Sequence, residues 1–305
     1  MLDFSHLVPT QASDIQIFRG NMGVGLFAWY TYQKPRGASM LHIIAIGGGG
    51  GGGAGQISTG NTGAGGGGAG GGGAISTLIV PAIFLPDSLY VEVGWGGMGG
   101  IIGTGSAAGG TSQVSFLPQT VSGNYLLLAP AGSGGAAGAN IGGASGSSGF
   151  ADTLSSSPLA GLGIFQFIAG YGSNAGGANT GTSPAAIAYG SGSVFSMAGT
   201  SGGGCSSTAN AAGGSYGSLG AATFNYQINP TPSVAPGGDG QNGCTTNFKP
   251  IWCFGGLGGA SNTAGQAGNG GRGNGYGSSG GGGGAGATPG IGGYGAPGLV
   301  IISSW

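Results

Sequence analysis

Between Leu41 and Gly53 the chain reads LHIIAIGGGGGGG, an apolar run that breaks directly into seven consecutive glycines. A glycine inside an α-helix costs about 1 kcal/mol relative to alanine, so a tract of this length excludes a helix. The run Ile43 to Ile46 is therefore expected to be a buried β-strand feeding a non-helical glycine segment. A dinucleotide-binding fingerprint also begins with a strand and glycines, but it needs a helix next and an acidic residue about twenty positions on. Residues 54–74, AGQISTGNTGAGGGGAGGGGA, supply neither, and the next carboxylate is Asp87.

Glycine accounts for 83 of 305 residues, without a strict three-residue repeat and with only 14 prolines, which rules out collagen. Disordered chains are typically charged and poor in apolar groups. Here only 4% of residues are charged and the mean hydropathy is positive. An extended glycine segment has an ordered alternative in the left-handed helix of three residues per turn, which makes no internal hydrogen bonds. Its peptide groups point outward, and without Cβ atoms several such helices can pack side by side and bond to one another. The β-runs are then expected to hold the tracts in register.

The chain divides into residues 1–26, an N-terminal arm or attachment segment that reads equally as an edge strand, and a glycine-rich β domain over 27–305. Strands are expected near 27–33, 41–46, 74–80, 89–93, 111–117, 124–128 and 298–304. Glycine-rich excursions fill 47–73, 94–110 and 129–297. In LYVEV, Tyr90 and Glu92 share one face and Leu89, Val91 and Val93 the other, the alternation of a half-exposed strand. Four apolar islands interrupt the last excursion, at 161–172, 192–199, 222–229 and 249–256. They read either as strands of a further sheet or as plugs between glycine helices. The fold class is all-β, a small antiparallel sandwich-like core with polyglycine-II excursions and essentially no α-helix.

The order TYQKPRGASMLHIIAIGGGGGGG, AISTLIVPAIFLPDSLYVEVGWGGMGG, GGTSQVSF and GAPGLVIISSW resembles the glycine-rich domains of tailed-phage fibre and other virion appendage proteins. Trp29, Pro35 and Gly37 fill that family's opening motif with a longer spacing than usual. Pro86, Leu89, Val91, Val93 and Gly94 fill its middle motif, and Gly295, Pro297, Gly298, Val300, Ile301 and Ile302 its closing one. The resemblance spans roughly residues 27–305. It implies a compact β-core with projecting polyglycine-II helices, in a structural or host-recognition part of a virion. The chain would be a tip, a short appendage or a repeating subunit, in a homo-oligomer (trimer or higher) alongside other virion proteins. It would be made in the host cytoplasm and exposed on the particle.

Five Lys and Arg against six Asp and Glu give no basic surface for nucleic acid. No run of eighteen apolar residues predicts membrane insertion, and MLDFSHLVPTQASD has neither the basic nor the apolar region of a secretory signal. Cys205, Cys244 and Cys253 match no zinc spacing; a Cys244–Cys253 bridge and buried free thiols are both compatible with them. His6 and His42 have no nucleophile at a recognisable spacing, and the six carboxylates include no close pair. No enzyme, cofactor or metal is expected. The candidate surface or receptor contacts are the aromatics in or beside the excursions: Tyr171, Tyr189, Tyr216, Tyr226, Phe248, Trp252, Phe254 and Tyr276, with Trp95 in the same setting. Their rings would suit a host glycan or protein; the competing role is as plugs or subunit contacts. The two readings are a self-assembling virion subunit and a host-glycan-binding adhesin module, with a non-viral extracellular filament as a third.

Overall fold

A computed structural model of the chain describes residues 14–21, 29–59, 62–119, 124–143, 164–168 (backbone only), 176–186, 198–216, 231–243 and 254–305. Its strands are β1 (Asp14–Arg19), β2 (Trp29–Gln33), β3 (Met40–Ile46), β4 (Ile75–Pro81), β5 (Ser88–Glu92), β6 (Ser112–Ser115), β7 (Tyr125–Ala129), β8 (Ile164–Ile168), β9 (Asn262–Gln266), β10 (Gly286–Thr288) and β11 (Leu299–Ser304). A single 3-10 turn, Ala82–Phe84, is the one helical element among the described residues. The chain is all-β.

Two antiparallel sheets form the core, one in the order β1-β11-β3-β4-β8 and the other β2-β5-β6-β7. They lie face to face. Leu41, Ile43, Leu78, Val80, Val300 and Ile302 of the first sheet meet Tyr32, Leu89, Val91, Val114 and Leu127 of the second in one buried cluster. In β3, β4, β5 and β11 these are alternate positions, as a period-two backbone requires. The final strand lies between β1 and β3 and pairs with both over six residues, so the closing run ties the long excursions at their base. Within the N-terminal segment, Asp14–Arg19 is the outer strand of the first sheet. The island at 161–172 contributes β8, paired to β4. Most of the islands at 192–199, 222–229 and 249–256 lies outside the described residues.

Glu92 departs from the sequence reading. It is 2% exposed, its Oε2 accepts from Gln113 Nε2 at 2.5 Å, and its Oε1 has no hydrogen-bond partner among the described residues. The outer face of the second sheet is covered at this position, so its polar residues do not mark a solvated face.

The glycine tracts pack into a block joined almost entirely by main-chain hydrogen bonds. In the tract leaving β3, Gly47, Gly50, Gly53 and Gln56 donate to Ala74, Gly71, Gly68 and Gly65 on the returning limb. Gly48, Gly51 and Ala54 donate to Gly110, Ala107 and Thr104, and Gly49, Gly52 and Gly55 to Ala296, Gly293 and Gly290. The partner changes at every residue and returns every third, which is the geometry of a three-residue helix with radiating amides. Its carbonyls accept from three further tracts, around Gly97–Gly100, Gly132–Gly138 and Gly280–Gly286, so six neighbours surround it. The tract over 277–286 is enclosed in the same way.

Candidate functional site

The end of the block farthest from the sandwich gathers three loops. The central tract ends at Gln56, whose Nε2 donates to Asn140 Oδ1 at 3.2 Å. Ala54 bonds through its amide to Thr104 and through its carbonyl to Gly138, which fixes the turns at 101–104 and 139–142 at the same level. Thr104 N donates to Ile101 O and Gly142 N to Ala139 O, both at 2.8 Å. Gly103 and Gly142 supply the left-handed corners, with φ of 75° and 89°. Ser58 Oγ donates to Thr62 O at the third loop. These turns carry Ile57, Ile101, Ile102 and Ile141 into solvent, Ile141 at 85% exposure. Residues 54–62, 98–107 and 136–143 contain no charged side chain. The end of the block is an apolar and amide-rich surface on a stiff support.

A second surface lies along the flank. Asn269 N donates to Asp239 Oδ1 at 2.7 Å, Arg272 N to Asn242 Oδ1 at 2.9 Å, and Ile291 N to Asn269 Oδ1 at 3.0 Å. The Arg272 guanidinium lies 5.2 Å from the centre of the Tyr294 ring. Each tract shows a side chain at every third residue: Asp239 and Asn242, Asn269 and Arg272, Ile291 and Tyr294. With the side-chain oxygens of Asp239, Asn242 and Asn269 serving as lattice acceptors, this flank gathers amide, carboxylate, guanidinium and phenol groups.

No protein-family model matches this chain, and no curated protein matches it.

The aromatic candidates fall in three groups. Tyr216 and Phe254 are corrected from surface contacts to interior plugs, 6% and 5% exposed and packed edge to face in a cluster with Ala198 and Leu257. The Tyr216 hydroxyl donates into the main-chain network, within reach of Gly255 O at 2.7 Å and Ala198 O at 3.0 Å. A ring inside a block of bare backbone fills space that glycine leaves empty, and its one polar atom finds a carbonyl. Tyr276 is half-buried against Ile46, Ile75 and Leu299 on the outer face of the first sheet. Tyr171, Tyr189, Tyr226, Phe248 and Trp252 lie outside the described residues, as do Cys244 and Cys253; Cys205 is a buried free thiol. Trp95 is half-buried with its ring over Gly110.

The surface residues found here carried a sequence signal that aromaticity did not capture. Trp95-Gly-Gly-Met98-Gly-Gly-Ile101, Asn269-Gly-Gly-Arg272 and Ile291-Gly-Gly-Tyr294 all place a side chain every third residue. In a three-residue helix that spacing selects one side of each tract.

No group of three or more His, Cys, Asp or Glu side chains gathers among the described residues, and no helix there is long and apolar enough to cross a membrane. Burial lowers the pKa of His42, which stands beside Ser303 and Ile79 on the outer face of the first sheet. Burial raises that of Glu92 against the opposing effect of the Gln113 hydrogen bond. A groove of about 730 Å³ lined by Lys34, Arg36, Ile83 and Asp87 offers no free ammonium at Lys34. Lys34 Nζ already donates to Ala82 O and Leu85 O and faces Asp87 at 3.2 Å.

Proposed function

We propose that this chain is a structural subunit of a virion, a bacteriophage tail-fibre tip or other surface appendage, that assembles with copies of itself and other virion proteins and offers its distal loops to the host surface. The observation that carries this reading is the uncharged loop cluster of Ile57, Ile101, Ile102 and Ile141 on a block cross-linked by backbone. Loops on such a support can vary in sequence without loosening it, the arrangement that suits recognition. The resemblance of the sequence motifs to those of appendage domains supplies the virion context. Mass spectrometry of purified particles encoded by the same genome tests membership. Adsorption of fluorescently labelled protein to intact host cells tests the loops, and an Ile101→Asp, Ile141→Asp variant is expected to lose it while staying folded. Absence from the particles together with no cell binding would sink the proposal.

The flank surface favours a second reading, a host-glycan-binding module. Fixed amides, a carboxylate, a guanidinium and a phenol are the groups that hydrogen-bond sugar hydroxyls. Binding to cells that survives the loop variant but is lost with Asn242→Ala, Asn269→Ala would select it.

A further inference from the structure

We infer that the Asn274-Gly275 turn is a site of spontaneous covalent modification, where the asparagine side chain closes on the next main-chain nitrogen, loses ammonia and becomes aspartate or isoaspartate. The inference goes beyond the virion reading and does not depend on it.

Asn-Gly is the dipeptide most open to this reaction, because glycine has no Cβ to obstruct the five-membered ring that must form. The chain holds Asn242-Gly243, Asn269-Gly270 and Asn274-Gly275, and Asp239-Gly240 can close the same ring with loss of water. The lattice disarms all but one of them. Gly243 N donates to Arg272 O at 2.7 Å, and Gly270 N to Ile291 O and Gly240 N to Asn269 O at 2.8 Å. The side-chain oxygens of Asn242, Asn269 and Asp239 accept from the amides of Arg272, Ile291 and Asn269. Attacking nitrogen and attacked carbon are each anchored to a neighbouring tract, so the ring cannot close there without breaking lattice bonds.

At Asn274 both restraints are missing. The residue is exposed, in the turn between the tract over 268–273 and the one over 277–286. Gly275 N makes no main-chain hydrogen bond among the described residues and lies 2.9 Å from Asn274 Oδ1. The reacting groups are already in contact. The carbonyl of the same peptide unit, Asn274 O, accepts from Ser278 Oγ at 2.6 Å, and Ser278 is fully buried. The reaction starts when hydroxide takes the Gly275 N–H proton, and the charge left behind is shared with that carbonyl oxygen. A fixed donor on the oxygen stabilises the anion.

The bond from Gly275 N to Asn274 Cγ then forms and the Cγ–Nδ2 bond breaks. The leaving nitrogen takes a proton from water, departs as ammonia and regenerates hydroxide. Water opens the resulting succinimide at either carbonyl, giving aspartate, or isoaspartate with the main chain routed through the side-chain carbons. No oxidant, metal or second protein is required. Each conversion replaces a neutral amide by a carboxylate, two residues from Arg272, and takes the net charge from −1 to −2.

Incubation of the folded full chain in heavy-oxygen water at mildly alkaline pH, followed by peptide mapping in ordinary water by tandem mass spectrometry, tests this. Ring opening introduces one solvent oxygen, so the label marks conversion during the incubation alone. Residue 274 is expected to gain it as a mixture of aspartate and isoaspartate. Asn242 and Asn269 should gain it at least about tenfold more slowly, held back by the local opening that their lattice bonds require. In urea all three should convert at similar rates, which shows that the fold and not the dipeptide makes the difference. Ser278→Ala, checked for an unchanged circular-dichroism spectrum, should slow residue 274 several-fold and leave Asn242 and Asn269 as slow as before. A folded wild type in which residue 274 gains label no faster than Asn242 and Asn269 would overturn the inference, whatever the variant does. Neither result bears on whether the protein is found on a particle.

Discussion

The sandwich and the glycine block sit on one chain and are held by opposite means. In the sandwich, side chains do the packing: Leu41, Ile43, Leu78, Val91 and Ile302 are fully buried, and the strands' main-chain ladders run within each sheet, with serine hydroxyls such as Ser76 Oγ to Leu128 O reaching across. In the block the backbone does both jobs. Each tract is its neighbours' hydrogen-bond partner and also their packing surface, so nothing soft separates one helix from the next. A side-chain core can absorb a small change of shape by rotamer adjustment. A lattice of bare peptide groups has no rotamers to adjust.

The sharpest way to break that comparison is to add one methyl group to the block. A Cβ at Gly52 would stand 2.0 Å from Gly281 O, and Gly281 is held in turn by Gly271. Gly52→Ala is expected to cost about 4 kcal/mol or prevent folding, as overpacking against backbone that cannot shift. Gly105→Ala is the control, because its nearest atom would lie 3.4 Å away. It should stay within about 0.5 kcal/mol of wild type, as exposed substitutions do. Urea denaturation followed by circular dichroism compares the two, and equal midpoints would show that the block is looser than its hydrogen bonds imply.

The next effect tests the polar side of the lattice. Ser261 is fully buried; its Oγ accepts from Ala211 N at 2.7 Å and donates to Gly204 O at 2.9 Å. It adds a peptide-like link beside the direct main-chain bond from Ser261 N to Ala211 O at 2.9 Å. Ser261→Ala leaves a buried amide without a partner and should cost about 1–3 kcal/mol, read from the same urea transitions. Asn242 caps an exposed amide, so water can replace its oxygen and Asn242→Ala should cost only a few tenths of a kcal/mol.

How much of this was legible in the sequence follows the same division. Strands β2 to β7 and β11 were readable within about two residues because a run such as LHIIAI both buries itself and stops at glycine. β9 and β10 were not, since NTAGQ and GAT have no strand pattern. They pair because the lattice lays their backbones in parallel, not because their side chains ask for it. Which tract neighbours which was unreadable for a related reason: seven identical glycines carry no register. Tyr216 and Phe254 misled because an aromatic between glycines has the same appearance in sequence whether it plugs a gap or projects from a loop. The three-residue spacing of Asn269 and Arg272, or Ile291 and Tyr294, would have separated the outward positions.

The last two tests sharpen the comparison from the sandwich. Ile43→Val removes one methyl from a fully buried position and should cost about 1 kcal/mol, a fraction of what one added methyl costs at Gly52. Glu92→Gln is smaller still, and its mark is a change of pH dependence. Burial raises the Glu92 pKa above its ordinary 4.5, so the folded chain holds that proton to a higher pH than the unfolded chain does. Between those two values the native state binds more protons, and stability must fall as pH rises; above the folded value the full loss remains. The Gln113 amide opposes the shift, but Oε1 has no partner among the described residues and desolvation prevails. Glu92→Gln removes the ionisation and keeps an oxygen for Gln113. Thermal melts from pH 4 upward should show the wild type losing stability through the carboxylate range and the variant flat there, with the variant slightly the more stable at neutral pH. Identical pH profiles would mean that the Glu92 carboxyl is as well solvated as in the unfolded chain, and that the second sheet is open on its outer face.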